Sequence, residues 1–449
     1  MIYIAKKQNI AWIALALPLL IPISAGAAQN VLSGEVVLGQ DYDSNINRES
    51  SAKQSEWRTT ITPGLTVTHS EPTNTFTIKY APTVVYSYLT DDKRIDQFVS
   101  GRYDISLAQK LLVYFQDTYI LSDDPYADPL SSASMNQRDN GDMGIQISDQ
   151  RGRNRYWTNN FTTGASYEYA QESFVKLGYQ YHILDNKDPE VADFVKHSPN
   201  VSILHRLNHQ WASQLDYRFV KGDFDKSGDL AADNAGLNEN DLITNTSDLY
   251  LYYNLTPFTK IFGHYGYSQT DFDGLQDDYN AHTMAAGTDH QFSPTLNLSG
   301  EGGMSLLQRD NFSNTDAMYL RIALNKTWER SSLSLSADSG LDQQYFSSTN
   351  DQGLSRYWAV RSAFNYTFIK DVTGTASLSY RENTYLDRVP QEKEQQLQGD
   401  ALLAYSFARW YQIAFRYTYI NQDADLETDQ YDDHRILLQL SAANDLFKW

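Results

Sequence analysis

The chain has 449 residues, Lys+Arg 36 against Asp+Glu 56, a formal net charge of −20 and no cysteine. The acidic surplus argues against nucleic-acid binding, which needs excess Lys and Arg for phosphate contacts, and the absence of thiols excludes a disulfide framework and a lipidated cysteine. Aromatic residues make up 13% of the chain, with 32 tyrosines, a usage that suits repeated strands and turns better than two or three soluble domains.

The first element reads as a secretory signal peptide. Lys6 and Lys7 form a positive start, Ile10 to Ile23 an apolar stretch broken by Pro18 and Pro22, and Ala25-Gly26-Ala27 a small-residue cleavage site. Cleavage after Ala27 is expected, by the Sec route, leaving residues 28–449 as a single domain. The apolar stretch is too short and too broken for a permanent membrane helix, and nothing after it supplies the run of about 18 apolar residues that one needs.

"GQDYDSNINRES", residues 39 to 50, next resembles the start of a calcium loop, because Asp41, Asp43, Asn45 and Asn47 stand at alternate positions. An EF-hand also requires Gly at the sixth position and Glu at the twelfth. Here those positions hold Ile46 and Ala52, so no metal site is read there. The stretch is instead where the first strand leaves the membrane, with Asp, Ser and Asn supplying turn-forming side chains.

From residue 31 onward, segments of about ten residues alternate with period 2, the pattern of transmembrane β-strands. Phe76, Ile78, Tyr80, Pro82, Val84, Tyr86 and Tyr88 face one way, and Thr77, Lys79, Ala81 and Thr83 the other. Val99, Gly101, Tyr103, Ile105 and Leu107 oppose Ser100, Arg102, Asp104 and Ser106 in the same manner, as do Ile413, Phe415, Tyr417 and Tyr419 against Gln412, Ala414, Arg416 and Thr418. Tight connections (near 71–74, 109–110, 171–173, 208, 256–259, 293–294, 329–331, 369–371 and 408–409) alternate with long polar ones such as 123–155, 222–243 and 421–432. Short turns on one rim and long loops on the other predict an all-β transmembrane antiparallel barrel of the outer membrane, with about twenty strands (range about 18 to 22) and both termini in the periplasm. The first strand starts close to the expected cleavage site, so no plug domain is expected.

Trp57, Trp157, Trp211, Trp328, Trp358 and Trp410 fall near predicted strand ends, where an interfacial girdle places them. The last strand carries Ile436, Leu438, Leu440 and Ala442 in alternation and ends on Phe447 and Trp449. Asn444-Asp445 interrupts that alternation, so the final residues are expected to bulge or hang free.

Histidines 182, 197, 205, 209, 264, 282, 290 and 434 are scattered, and no Ser, His and acid grouping stands at a recognisable spacing. The pair Asp289-His290 reads as a solvated strand end. An enzyme is therefore not expected, nor a metal or cofactor. A barrel of about twenty strands has a lumen too wide for side chains alone to fill, so the water-facing positions carry the interest. By alternation these include Arg58, Lys79, Arg102, Asp104, Glu168, Lys176, Arg218, Glu301, Arg321, Asp338, Arg361, Arg381, Asp400 and Arg416. They either line a passage with hydrogen-bonding groups or form wall salt bridges that fix the strands. The run Glu301, Arg321, Asp338, Arg361, Arg381, Asp400, Arg416 supplies opposite charges from neighbouring strands able to pair across the wall. Loop 123–155, with Arg151, Arg153 and Arg155, is the candidate constriction, since long loops without structure of their own are commonly functional or disordered.

"GQDYDSNINR" followed by "SEWRTTITPGLTVTHS", and more loosely the ending "DDHRILLQLSAANDLFKW", resembles the β-barrel porins found with exopolysaccharide and capsular polysaccharide clusters, the VpsM-like secretion porins among them. The resemblance implies an outer-membrane channel through which a newly made polysaccharide leaves the cell, acting with a periplasmic polysaccharide export protein, and it implies no catalytic residues. Other expected partners are outer-membrane lipid, lipopolysaccharide and the barrel assembly machinery. Two other readings share the fold: an uptake porin for oligosaccharides or small solutes, and a structural or adhesive surface barrel whose acidic loops bridge cations to lipopolysaccharide.

Overall fold

The computed structural model describes residues 28–124, 153–187, 193–225, 241–273, 276–309, 313–343, 346, 353–386 and 390–449. The expected signal peptide (1–27), most of loop 123–155 and Arg151 lie outside those residues.

The described chain is a ring of antiparallel strands. In order these are β1 (Gln29–Asp43), β2 (Glu56–Glu71), β3 (Asn74–Tyr80), β4 (Thr83–Ser87), β5 (Asp92–Ala108), β6 (Leu111–Ser122), β7 (Tyr156–Ala170), β8 (Ser173–Asn186), β9 (Asp193–Arg206) and β10 (Trp211–Asp225). The second half comprises β11 (Leu242–Thr256), β12 (Thr259–Phe272), β13 (Tyr279–Ser293), β14 (Leu296–Arg309), β15 (Thr315–Thr327), β16 (Ser331–Gln343), β17 (Leu354–Ile369), β18 (Val372–Tyr385), β19 (Lys393–Phe407), β20 (Tyr411–Ala424) and β21 (Tyr431–Lys448). Apart from β3 and β4, each pairs with its chain neighbours, and β1 pairs with β21, which closes the cylinder and leaves no open edge. β3 and β4 lie end to end between β2 and β5, parted by Ala81 and by Pro82, which has no N–H to give the ladder. The circumference is therefore twenty strands.

Tight turns join the strands on one rim. Where alternation gives no turn-forming glycine, other residues take up positive φ: Glu172 (53°) after β7, and the consecutive pair Ala408 (47°) and Arg409 (65°) after β19. The chain end bulges yet stays in the sheet. The β1–β21 register shifts at Leu32/Ser33, and Asn30 and Trp449 still exchange both backbone hydrogen bonds, at 2.9 and 3.1 Å.

The two faces differ as the medium on each side demands. Val36, Leu38, Ile61, Leu65, Leu177, Leu215, Met284, Met304, Leu403 and Leu438 all point outward and are exposed. A soluble protein would not leave so much apolar surface uncovered; hydrocarbon covers it here. Around this band run two aromatic belts. Trp57, Trp157 and Trp358 pack on Tyr42, Tyr119 and Tyr380 near the loop rim, and Trp211 packs on Tyr253 near the turn rim. A closed barrel with such an exterior is an integral outer-membrane protein. Among the described residues there is no plug domain and no helix long and apolar enough to cross a membrane.

One feature departs from simple alternation. Near the loop rim the inner face itself turns apolar: Ile120, Tyr156, Leu184, Phe194, Phe224 and Leu242 form one cluster, and Tyr279, Leu307, Leu354 and Leu386 another, with Phe272 packed against both. Alternation assigns such residues to lipid. Here they are covered by one another across the mouth, where burying them costs no contact with hydrocarbon.

Candidate functional site: the inner wall

The inner face is defined by strand register. Asp41 lies opposite Arg58, Thr66 opposite Lys79, Glu301 opposite Arg321, and Arg321 opposite Asp338, so these side chains share one side of the sheet. By the same ladders Arg102, Asp104, Glu168, Lys176, Arg218, Arg361, Arg381, Asp400 and Arg416 also face inward.

Charge on this face is arranged in two ways. At the loop rim it is buried and locked. Arg58, nearly inaccessible, sits 2.6 Å from Glu56 and 3.5 Å from Asp123, and Arg94 also binds Asp123. Arg153 reaches Asp43 at 2.5 Å and Glu56 at 3.5 Å. Arg155 binds Asp96 at 2.8 Å. Arg435 joins Asp41 and Asp124 at 2.7 and 2.6 Å. The stretch that looked like a calcium loop supplies part of this lattice: Asp41 and Asp43 take up arginines, while Asp43 also accepts the Asn45 backbone N–H at 3.0 Å and so shapes the turn. Buried charges persist only when paired, which is why this rim draws partners from β1, β2, β5, β21 and the segments flanking loop 123–155. Burial pushes the Asp123 carboxyl up to about 6, against the pull of Arg58 and Arg94.

Deeper in the barrel the pairing is partial. Lys79 crosses β2 to Glu35 at 2.6 Å, passing over Gly64, where any Cβ would strike the Glu35 side chain. Arg102 and Asp104 pair on their own strand at 2.7 Å, and Gln116 accepts from the same guanidinium at 2.9 Å. The charged run in the C-terminal half does not pair in sequence order. Arg361 does bind Asp338, but Arg381 binds Asp342, and Asp400 accepts from Thr418 at 2.7 Å and Gln398 at 3.0 Å. Glu301 is taken by His264 at 2.5 Å, whose other ring nitrogen lies 2.9 Å from Asp248.

These engagements isolate Arg321. Both acids opposite it are occupied, Glu301 by His264 and Asp338 by Arg361. Its guanidinium instead lies over the Tyr319 ring, 5.1 Å from the centroid, with no hydrogen bond or ion pair among the described residues. Tyr250, stacked on His264 at 4.2 Å, belongs to the same patch, and Arg381 lies over Tyr357 at 4.4 Å on the strand beyond. Lys176 and Arg416 likewise have no ion-pair partner among the described residues, and neither does Glu168, near the turn rim. No group of three potential metal ligands occurs among the described residues.

The sequence missed the partners rather than the faces. Glu35, Asp248, Asp342 and His264 complete the pairs described above, and finding them requires the register between strands, which alternation within a strand does not carry.

No family model matches the chain, and no curated protein matches it in sequence. Solved structures do. The chain is similar to the siderophore receptor PirA of Acinetobacter baumannii (TM-score 0.52, 8% identity, covering 92% of this chain and 80% of that one). It is similar also to the FrpB iron transporter of Neisseria meningitidis (TM-score 0.53, 8% identity, covering 92% and 82%). OccAB4 of A. baumannii aligns over 93% of this chain and 98% of its own at 13% identity, with a TM-score of 0.43. At these identities the likeness concerns the fold alone, and the fold is that of an outer-membrane β-barrel.

Proposed function

We propose that the barrel is an outer-membrane channel for small hydrophilic solutes, favouring those with a carboxylate or similar anionic group, and that it serves uptake down a concentration gradient without catalysis. The observation that carries this reading is the unpaired guanidinium of Arg321, presented at mid-depth beside Tyr319 while the acids opposite it are engaged elsewhere. A fork of N–H donors on an aromatic plate suits a planar anion. Weak sites of this kind let a solute enter and leave again. The Arg102–Asp104 pair, the Asp338–Arg361 pair and the hydroxyls of Thr and Ser along the same wall supply further weak contacts.

Polysaccharide export, which the sequence resemblance implies, draws no support from the comparisons. A polymer also needs a wide hydrated passage through the loop rim, and there the inner face is crowded by apolar clusters and a locked ion-pair lattice. The test is entry into liposomes that carry the purified barrel. Small sugar acids and dicarboxylates should enter faster than neutral sugars of equal size. A barrel that admits neither would sink the proposal, and accumulation of polysaccharide in the periplasm of a deletion strain would restore export.

A further inference from the structure

Three hairpins repeat one arrangement on the outer surface. In each, the strand rising toward the loop rim carries Tyr-x-Tyr and the strand descending from it carries a histidine: Tyr179 and Tyr181 with His197 on β8/β9, Tyr265 and Tyr267 with His282 on β12/β13, and Tyr417 and Tyr419 with His434 on β20/β21. The second tyrosine stands five residues before the end of its strand each time (Asn186, Phe272, Ala424). The first tyrosine's hydroxyl lies 2.8, 3.0 and 2.7 Å from the histidine Nδ1. The second ring packs on the imidazole at centroid distances of 5.1, 5.0 and 4.9 Å. This agreement within a few tenths of an ångström, at one depth on three separate hairpins, marks a built feature of the wall.

All nine side chains point away from the lumen, on the same face as Leu177, Met284, Phe415 and Leu438. Three other loop-side belt positions hold Trp–Tyr pairs (Tyr42/Trp57, Tyr119/Trp157, Trp358/Tyr380), whose indoles need only an interface. A histidine clamped by a phenol is different. With the phenol donating to Nδ1, the ring proton sits on Nε2, and among the described residues Nε2 of each histidine has no partner. A donor left unmatched at the edge of hydrocarbon is costly, so its partner is to be sought in the headgroup layer.

We infer that the three Tyr-His-Tyr clamps bind phosphate groups of the glycolipid in the outer leaflet, each offering an imidazole N–H to a phosphate oxygen and fixing the barrel's depth at the loop side. At the first clamp Lys221 lies directly opposite His197 on β10, but it is paired with Asp223 at 2.8 Å on the same outward face, so the imidazole N–H is the group left to meet the phosphate. The molecule also contains its own control. Tyr169 and His205 repeat the pair at the turn rim, with the hydroxyl 2.9 Å from Nδ1, where the neighbouring leaflet is the periplasmic one.

The test uses the full barrel purified from an outer membrane and incorporated into nanodiscs containing bisphosphorylated or monophosphorylated lipid A, with bound lipid counted by native mass spectrometry. The triple variant His197→Phe/His282→Phe/His434→Phe keeps three aromatic rings and removes the N–H groups. It should retain at least about threefold less bisphosphorylated lipid A, because none of the three clamps keeps its N–H, whereas His205→Phe should retain as much as the unaltered protein. If the triple variant migrates as unfolded on unheated gels, Tyr179→Phe/Tyr265→Phe/Tyr417→Phe removes only the hydroxyls and should lower retention in the same direction. Equal retention by the folded variants, or indifference to the number of phosphates, would show an aromatic belt only and overturn the inference.

Discussion

The loop-rim lattice and the mid-depth wall are made of the same residue types and solve opposite problems. At the rim, Arg58, Arg153 and Arg435 are buried and every one meets carboxylates, because a charge withdrawn from water must be compensated nearby. At mid-depth, Arg321 has two acids directly opposite and binds neither, because it is exposed and its neighbours have better partners. The rim charges hold the structure together, and the mid-depth charge is free to meet a solute.

The largest effect expected from this contrast is at the rim. Arg58→Ala takes one of two guanidinium partners from both Glu56 and Asp123 in a buried site and should cost about 3 kcal/mol, read as a fall in the urea concentration at which the barrel loses its compact gel migration. An unchanged midpoint would mean that the rim is hydrated after all. In the lumen, Arg321→Gln keeps the length and removes the charge. It should slow dicarboxylate entry into liposomes about tenfold while leaving neutral sugars within about twofold, the difference matching roughly 1.4 kcal/mol for a charge-assisted hydrogen bond. Equal slowing of both solutes would indicate a distorted wall instead.

A smaller effect follows from pH. Asp123, raised to about 6, is ionised above that pH and neutral below it, so acidification removes a negative charge from the rim and should shift the channel's preference further toward anions as pH falls through about 6. Asp123→Asn should shrink the step, and a step of unchanged size in this variant would assign it to another group. The smallest effect is at the half-exposed lumen pair: Lys79→Met should change stability by less than about 1 kcal/mol, since water screens the Lys79–Glu35 contact.

Much of the barrel is legible in the chain because one rule governs it. A strand between lipid and water must alternate, and Val99 to Leu107 does so throughout, while Phe76 to Tyr88 departs at Val85, an apolar side chain buried on the inner face opposite Thr60. Turn positions such as 109–110 and 370–371 follow from the alternation of short and long connections. Pro82 escapes notice as a break because it holds its place in the outward series, and only the ladder shows the missing N–H. Phe194, Phe224 and Leu307 defeat the rule outright: they face inward, where alternation expects water, because they cover one another at the mouth. The wall pairs are hidden for a different reason. His264 finds Asp248 on the neighbouring strand and Glu301 two strands away in the other direction, a relation set by register between strands. The clamps, by contrast, had a readable signal, Tyr-x-Tyr followed 15 or 16 residues later by histidine, which gains meaning once the two strands are known to be paired.

The claim that a hydrated lumen presents a free cation at mid-depth is tested most directly by the reversal potential of single barrels in a planar bilayer under a potassium chloride gradient at pH 7. The account predicts a conducting pore that prefers chloride, with the preference falling toward neutrality in Arg321→Gln. A pore that prefers potassium, or one whose selectivity ignores residue 321, would contradict it.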